Sequence, residues 1–266
     1  VIKIGGSILK TCFPQDFISD LKKLWENNNK IILVHGGAAE VTAVAEKMGK
    51  KQQFVVSPDG MRSRYTDKET MEIYTMVMAG KLNKQITASL EGYGIKAIGV
   101  CGVDGGLLRA ERKKKLMIID ERGRKVIIDG GYTGKITKVN TESLHSLLES
   151  GFLPVVAPIA LGDEFELLNV DSDRAAAYIA GTLKADSLIL CTDVSGVLLN
   201  NKPIDRLTVE GAKGYLNQIG HGMKKKVYAA IETLGMGTKE VIITSGLAKE
   251  PITSAIRHEV GTLICR

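Results

Sequence analysis

Lys30-Ile31-Ile32-Leu33-Val34-His35-Gly36-Gly37-Ala38 decides the fold. The apolar run Lys30–Val34 reads as a buried strand, because it is short, β-branched and closed by glycines. A helical pattern, Ala38–Met48, begins at once, and a strand feeding straight into a helix is the repeating unit of a parallel sheet. The N-terminus repeats the first half of this unit: Val1–Ile4 is a strand candidate that closes on Gly5-Gly6-Ser7. Working outward, the strand candidates are Ala97–Val100, Leu153–Pro158, Ser187–Thr192 and Glu240–Thr244. Between them fall helix candidates at Pro14–Glu26, Thr66–Leu90, Thr141–Glu149, Asp173–Leu183 and Met223–Leu234. This alternation predicts an α/β fold, an open αβα sandwich with a mostly parallel central sheet. The chain has no fixed-period repeat, low-complexity segment or Pro/Ser-rich linker. Two lobes sharing one sheet are therefore expected, residues 1–160 and 161–266.

The helix from Thr66 is the best defined. Thr66 and Glu69 have capping-box spacing, and Met71, Tyr74, Met78, Leu82, Ile86 and Leu90 recur along one face. That stripe is expected to be core, and the helix is long enough to serve as a subunit contact. Between Leu107 and Val139, two apolar runs, Leu116–Ile119 and Lys125–Ile128, flank the turn Asp120-Glu121-Arg122-Gly123. They predict a hairpin projecting from the sheet, preceded by the basic run Arg112-Lys113-Lys114-Lys115.

Composition narrows the function classes. The 266 residues are 44% hydrophobic and carry a net charge of +6. Residues 1–160 hold 24 Lys+Arg against 17 Asp+Glu, and the remainder 12 against 13, so the positive excess lies wholly in the first part. A solvated basic surface and an acidic partner both fit that distribution. Aromatic residues are only 5% and no nucleic-acid-binding motif occurs, so nucleic acid is not expected as a partner. No apolar run approaches the roughly 20 residues of a membrane span, and a secretory leader is not expected. The four cysteines are scattered, which argues against disulfides or a zinc site and for a reducing cytoplasm.

Phosphate chemistry is suggested by the glycine turns. The usual P-loop and protein-kinase motifs are missing. Instead, Gly5-Gly6 and Gly36-Gly37 close two strands, where bare backbone lets amides approach anionic oxygens. Asp171, Ser172 and Asp173 precede a helix, and Asp171 or Ser172 suits its cap. Thr192-Asp193-Val194-Ser195-Gly196-Val197 follows a buried strand, as a nucleotide-contacting loop would. Gly222-Met223-Lys224-Lys225-Lys226 opens another helix with three lysines where the dipole disfavours them, which points to an anion near Lys226.

Together these motifs, running in order from Lys3-Ile4-Gly5-Gly6 to Gly261-Thr262, resemble the amino-acid kinase family, most closely its N-acetylglutamate-kinase branch. Gly60-Met61-Arg62-Ser63-Arg64-Tyr65-Thr66-Asp67-Lys68-Glu69-Thr70 and the lysine-rich hairpin look like the LysW-aminoadipate/LysW-glutamate kinases. Those act on an amino acid carried by a small acidic protein, in lysine and arginine biosynthesis. The resemblance implies ATP-dependent phosphorylation of a side-chain carboxylate to an acyl phosphate. Lys3 and Lys226 would flank the transferred phosphoryl group, with Asp173 holding both. Gly5 and Gly6 would serve ATP, and Gly36 and Gly37 the acceptor carboxylate. Arg62 would clamp the acceptor's α-carboxylate and Asn169 its linked nitrogen. Asp193, Val194, Ser195, Gly196, Val197, Leu198, Gly222 and Met223 would line the nucleotide site, with Mg2+ bridging the ATP phosphates. Arg64, Lys68, Arg112, Lys113, Lys114 and Lys115 would dock the acidic LysW-type carrier protein, and the enzyme would be a cytoplasmic homodimer.

The sequence departs from the family pattern in places. The second turn has Ala38 where a third glycine is common, and Gly220-His221-Gly222-Met223 is slightly altered. The chain lacks the N-terminal helix of the arginine-inhibited enzymes, so arginine feedback through it is not expected. Two other readings stay open: the same chemistry on free N-acetylglutamate, and a nucleotide-binding sensor without catalysis.

Overall fold

The computed structural model describes residues 1–9, 13–200 and 202–266. The first part of the chain runs β1 (Ile2–Ile4), α1 (Gln15–Glu26), β2 (Leu33–His35), α2 (Ala38–Lys47), β3 (Phe54–Val56) and β4 (Arg62–Arg64). A long helical run follows, made of α3 (Lys68–Thr75), a π-helical stretch (Met76–Leu82) and α4 (Asn83–Gly92). Next come β5 (Ala97–Cys101), β6 (Leu108–Arg112), β7 (Lys115–Ile119), β8 (Lys125–Asp129), β9 (Gly134–Val139) and α5 (Thr141–Glu149). They are followed by β10 (Leu153–Ala157), β11 (Ile159–Leu161), β12 (Leu167–Asn169), α6 (Ser172–Thr182) and β13 (Ser187–Thr192). The last part holds β14 (Leu198–Leu199), β15 (Lys202–Pro203), β16 (Arg206–Thr208), α7 (Val209–Tyr215), α8 (His221–Met236), β17 (Glu240–Ser245), α9 (Pro251–Ile256) and β18 (Thr262–Cys265).

Eight strands form the central sheet in the order β16-β18-β17-β13-β1-β2-β10-β5, and only the β17–β18 pair is antiparallel. Strand alternation divides the core between the two faces. Leu33, Val155, Ile189 and Ile242 point to a layer with Phe17, Leu21 and Leu90, from α1 and α4. Their chain neighbours Val34, Val156, Leu188, Leu190 and Val241 point to the other layer, with Ala176, Ile179 and Val227 from α6 and α8. Both faces are therefore dry, as expected for a parallel sheet between helices. The αβα sandwich predicted from the strand–helix alternation is the fold observed.

Three sequence expectations need correction. The β7–β8 hairpin forms as expected, but it does not project from the central sheet. It joins β3 and β4 in a separate four-stranded sheet, through Val56 opposite Ile119. The long helix starts at Lys68 with Asp67 as its cap, accepting from the Thr70 amide at 2.8 Å, because the Thr66 hydroxyl is taken by Asn169. The expected apolar stripe from Met71 to Leu90 is buried throughout, but a π-helical stretch interrupts the α-helix at its middle. That widening brings Met78 and Leu82 against Gly37, where any side chain would collide with both.

The register of β1 fixes the site. Ile4 lies level with His35 of β2 and with Cys191 of β13. The two glycine turns therefore emerge side by side at one sheet edge, next to Thr192. Beneath them His35 is fully buried. Its Nδ1 lies 3.0 Å from the Gly36 carbonyl, and Asn83 reaches its Nε2 at 3.4 Å. Asn83 also donates to the carbonyls of Val155 and Val100, at 2.9 and 3.2 Å. This network assigns the proton to Nδ1, which donates to Gly36.

Burial, with Lys3 nearby, lowers the His35 pKa to about 4 from 6.5. The unfolded chain thus binds a proton between those pH values that the folded chain refuses. Stability present above pH 6.5 is lost as pH falls towards 4, by about 3 kcal/mol for this one group. His35→Gln should flatten that part of the profile in urea melts taken across the window. An unchanged slope would mean that His35 does not control it.

Candidate active site

Lys3, Asp173 and Lys226 come from β1, the first turn of α6 and α8, and they meet. The Lys3 ammonium stands 2.8 Å from Asp173 Oδ1, and the Lys226 ammonium donates to Oδ2 at 3.0 Å. Lys3 and Asp173 are 4% and 5% exposed, so the pairs are shielded from water. Burial alone would raise the Asp173 pKa, but the two ammonium groups outweigh it and hold the carboxyl well below the usual carboxylate range. Lys226 moves the other way: burial opposes its charge, and Asp173 more than restores it, leaving its pKa raised. Burial takes Lys3 in the opposite direction, below the ordinary lysine value, although Asp173 opposes the shift. With both lysines protonated, two ammonium groups face one carboxylate. Such a cluster attracts an anion.

Why the carboxylate sits there is local. Asp171 caps α6 by accepting from the amides of Asp173 and Arg174, which turns Asp173 towards β1. Arg174 then bonds Glu232 of α8 through two nitrogens, at 3.1 and 2.6 Å, and ties the two helices together. Nothing in the sequence singled out that pair, although an arginine and a glutamate on adjacent amphipathic helices are a natural cross-tie. The three lysines of α8 take different partners. Lys224 donates to the Asp59 carbonyl at 3.0 Å, Lys225 approaches Asp171 at 3.6 Å, and Lys226 holds Asp173.

A cavity of about 950 Å3 opens beside the cluster, lined by Lys3, Gly6, Gly36, Gly37, Arg64 and Asn169 among others. Gly6 and Gly37 touch so closely that a Cβ on Gly6 would lie 2.7 Å from the Gly37 nitrogen. Gly5 is buried, and its amide is spent on the Cys191 carbonyl, so it shapes the turn without facing the cavity. Asn169 donates to the Thr66 hydroxyl at 2.9 Å, which leaves its amide oxygen for a ligand.

Of Arg62 and Arg64, both on β4, it is Arg64 that reaches the cavity. Arg62 is exposed, with its guanidinium 3.9 Å above the Phe54 ring, and it is not part of the cavity wall. Arg64 lines the cavity, buried, and donates to the Ala38 carbonyl at 2.7 Å, to Thr42 at 2.9 Å and to Gln52. Both side chains leave the same face of β4, over the Phe54 ring, and position along the strand separates them: Arg64 pairs with Phe54, whereas Arg62 pairs with Val56, nearer the hairpin tip. The basic run also divides. Arg112 is held by the Gly131 carbonyl and the Tyr132 ring, and Lys113 faces the cavity, whereas Lys114, Lys115 and Lys68 are exposed.

The expected nucleotide segment leaves β13 at the same sheet edge but outside the enclosed cavity. Asp193, Val194, Ser195 and Leu198 are exposed, whereas Gly196 and Val197 are buried under Thr262. Gly222 is exposed, and Met223 leans on the core. Among the described residues, no group of three or more His, Cys, Asp or Glu side chains could hold a metal ion.

Comparison with known proteins agrees with this geometry. The amino acid kinase family model matches residues 1–245. The chain belongs to the amino acid kinase family. It is 45% identical to the LysW-aminoadipate/LysW-glutamate kinase of Sulfolobus acidocaldarius over 265 residues, 99% of each chain. It is 52% identical over 263 residues to a protein of Cenarchaeum symbiosum, covering 99% of this chain and 98% of that one. The smu.665 protein of Streptococcus mutans has the same fold, with a TM-score of 0.81 at 24% identity over 99% of this chain and 97% of that one. As an amino acid kinase the protein is a phosphotransferase that uses ATP.

Lys226→Ala and Asp173→Ala should separate charge from stability. Removing Lys226 leaves a matched Lys3–Asp173 pair, so the fold should survive while kcat falls by about a hundredfold to a thousandfold. Removing Asp173 leaves two buried ammonium groups facing each other, and should cost about 3–5 kcal/mol of stability as well. Urea melts beside steady-state rates would decide it; near-normal kcat in folded Lys226→Ala would remove Lys226 from the chemistry.

Proposed function

We propose that this kinase transfers the γ-phosphoryl group of ATP to the side-chain carboxylate of aminoadipate or glutamate, carried on a small acidic protein of the LysW type. The carrying observation is the buried Lys3–Asp173–Lys226 cluster, which meets a cavity bordered by two glycine turns through Lys3. The carrier enters the reading through the name of the Sulfolobus acidocaldarius relative and through the exposed cations Lys68, Lys114 and Lys115 at this end of the chain.

In this reading a carboxylate oxygen of the acceptor attacks the γ-phosphorus, and the bond to the bridging oxygen of ADP breaks in line. Lys3 and Lys226 flank the phosphoryl group and balance the charge that spreads over its oxygens. Asp173 stays ionised and fixes both lysines, so little reorganisation accompanies the transfer. The Gly6 and Gly37 amides serve the phosphate and the reacting carboxylate, and Asn169 meets the linked nitrogen. Arg64, in place of Arg62, holds the acceptor's main-chain carboxylate with the donors its three protein contacts leave free. Among the described residues no carboxylate cluster is available for a metal, and Asp173 is engaged by two lysines. Mg2+ bound to ATP would accordingly be held by phosphate oxygens and water, supplying further charge neutralisation.

Residues 1–160 would then form the acceptor lobe and residues 161–266 the nucleotide lobe, with Asp193–Leu198, Gly222 and Met223 beside the adenosine. The product, an acyl phosphate, would serve lysine and arginine biosynthesis. The reading includes a cytoplasmic homodimer, in contact through the outward face of the long helical run, where Met76 is exposed. None of the described helices is long and apolar enough to cross a membrane.

Two measurements test this. Arg64→Lys should raise the acceptor KM far more than it lowers kcat, because the planar fork is lost and the charge kept, while Arg62→Lys should change little. The reverse pattern would return the role to Arg62. Turnover of the carrier-bound substrate should also fall steeply between 0.05 and 0.5 M salt, since screening shortens the reach of exposed charges to less than about 10 Å. Lys68, Lys114 and Lys115 changed together to Glu should reproduce that loss at low salt with the KM for ATP unchanged. Equal turnover of free N-acetylglutamate by the unmodified enzyme would instead identify the free amino acid as substrate.

A further inference from the structure

Lys113 is separated from its neighbours in the basic run by where it points. It lines the cavity and is half-buried, whereas Lys114 and Lys115 lie in solvent. Among the described residues its ammonium has no hydrogen-bond or ion-pair partner, only the longer-range pull of Asp171 and Asp59 and the push of Arg174 and Lys135. Burial, reinforced by those two cations, holds its pKa below the ordinary lysine value. A second polar group on the same cavity wall is also unsatisfied: the Thr133 hydroxyl is buried without a partner.

The backbone beneath both groups is closely held. The Lys113 amide donates to the Thr133 carbonyl at 2.9 Å, and the Gly130 amide donates to the Lys114 carbonyl at 3.0 Å. Gly130 sits so near that a Cβ there would lie 1.5 Å from the Lys113 carbonyl oxygen, so only glycine fits. A buried hydroxyl without a partner normally costs stability, and an unpaired half-buried ammonium costs more. Their convergence on one cavity describes a site built for an anion that supplies what both lack.

We propose that Lys113 and Thr133 form a second anion subsite, taking a carboxylate on the N-acyl side of the acceptor. This rests on the reading that the acceptor is an N-linked amino acid. An ammonium and a hydroxyl match the two oxygens of a carboxylate. The phosphates of ATP already have Lys3, Lys226 and the glycine turns. Thr133 is bridge-paired with Asn169, the residue that meets the linked nitrogen in that reading, so the subsite lies next to the acyl group. The acyl group recognised here is thus one that itself carries a carboxylate, unlike acetyl.

The test compares N-glutaryl-aminoadipate with N-pentanoyl-aminoadipate, which have acyl chains of equal length with and without a terminal carboxylate. Calorimetry with the full-length protein and a non-hydrolysable ATP analogue should show about tenfold tighter binding of the glutaryl compound. Lys113→Met should erase that preference while leaving the pentanoyl compound and the ATP analogue unaffected, and Thr133→Val should weaken it less. Equal affinity of the wild type for the two compounds, or no binding of either, would overturn the subsite. So would a Lys113→Met loss shared by both compounds, which would place the acceptor's own main-chain carboxylate there, or a loss confined to ATP. Turnover of carrier-bound substrate by the wild type, followed in parallel, keeps the two ideas apart. If that turnover persists while the preference is missing, only the subsite fails; if it is absent, the parent reading fails.

Discussion

One carboxylate holding two ammonium groups out of water is the constraint on which this site depends. Asp173 offsets the cost of burying the Lys3 and Lys226 charges only through short contacts, and short contacts require β1, α6 and α8 to be fixed relative to one another. The rest of the local structure supplies that fixity. Asp171 orients the first turn of α6, Arg174 and Glu232 lock α6 to α8, and the Thr233 hydroxyl donates to the Ala177 carbonyl at 2.8 Å further along the same interface. A buried ion pair is a poor device for stability alone. Its value here is electrostatic preorganisation, since the charges are placed and desolvated before any anion arrives.

The sheet provides the second constraint. Parallel pairing carries β1, β2 and β13 to the same edge, so residues separated by more than 150 positions in sequence share one site. Gly6 and Gly37 then approach until no side chain fits between them, and the π-helical stretch presses Met78 and Leu82 against Gly37 from behind. The turns are thereby rigid although they are made of the most flexible residue, because packing on both sides removes the freedom that glycine brings.

Much of this was legible in the sequence. The strands and helices of the central sandwich follow from period and from glycine closure, and Lys3, Asp173 and Lys226 converge although no local pattern connects them. The ordered likeness to the amino-acid kinases put them in one site. What the sequence hid was direction. Arg62 and Arg64 are two apart on one strand, and composition gives no reason to prefer the second; the anchoring of Arg64 by Ala38, Thr42 and Gln52 is tertiary. The basic run looked like a single patch, yet Arg112, Lys113 and the pair Lys114 and Lys115 have different surroundings because β6 ends and β7 begins inside it. The π-helical stretch did leave a mark: Tyr74, Met78, Leu82, Ile86 and Leu90 recur at four-residue steps, a stripe that drifts around an ideal α-helix and that a wider turn brings back into line.

The tip of the β3–β4 hairpin overhangs the cavity through Ser57, Pro58 and Asp59, and Lys224 of α8 grips it at the Asp59 carbonyl. The grip falls on the main chain, and every residue type presents that carbonyl. The side chains of the tip can therefore be exchanged, one acceptor traded for another, while the fastening between the cover and the lysine-bearing helix stays as it is. A phosphotransferase assembled in this way separates what it recognises from how its cover is fastened, and substrate range can drift along the hairpin without disturbing the charged machinery below.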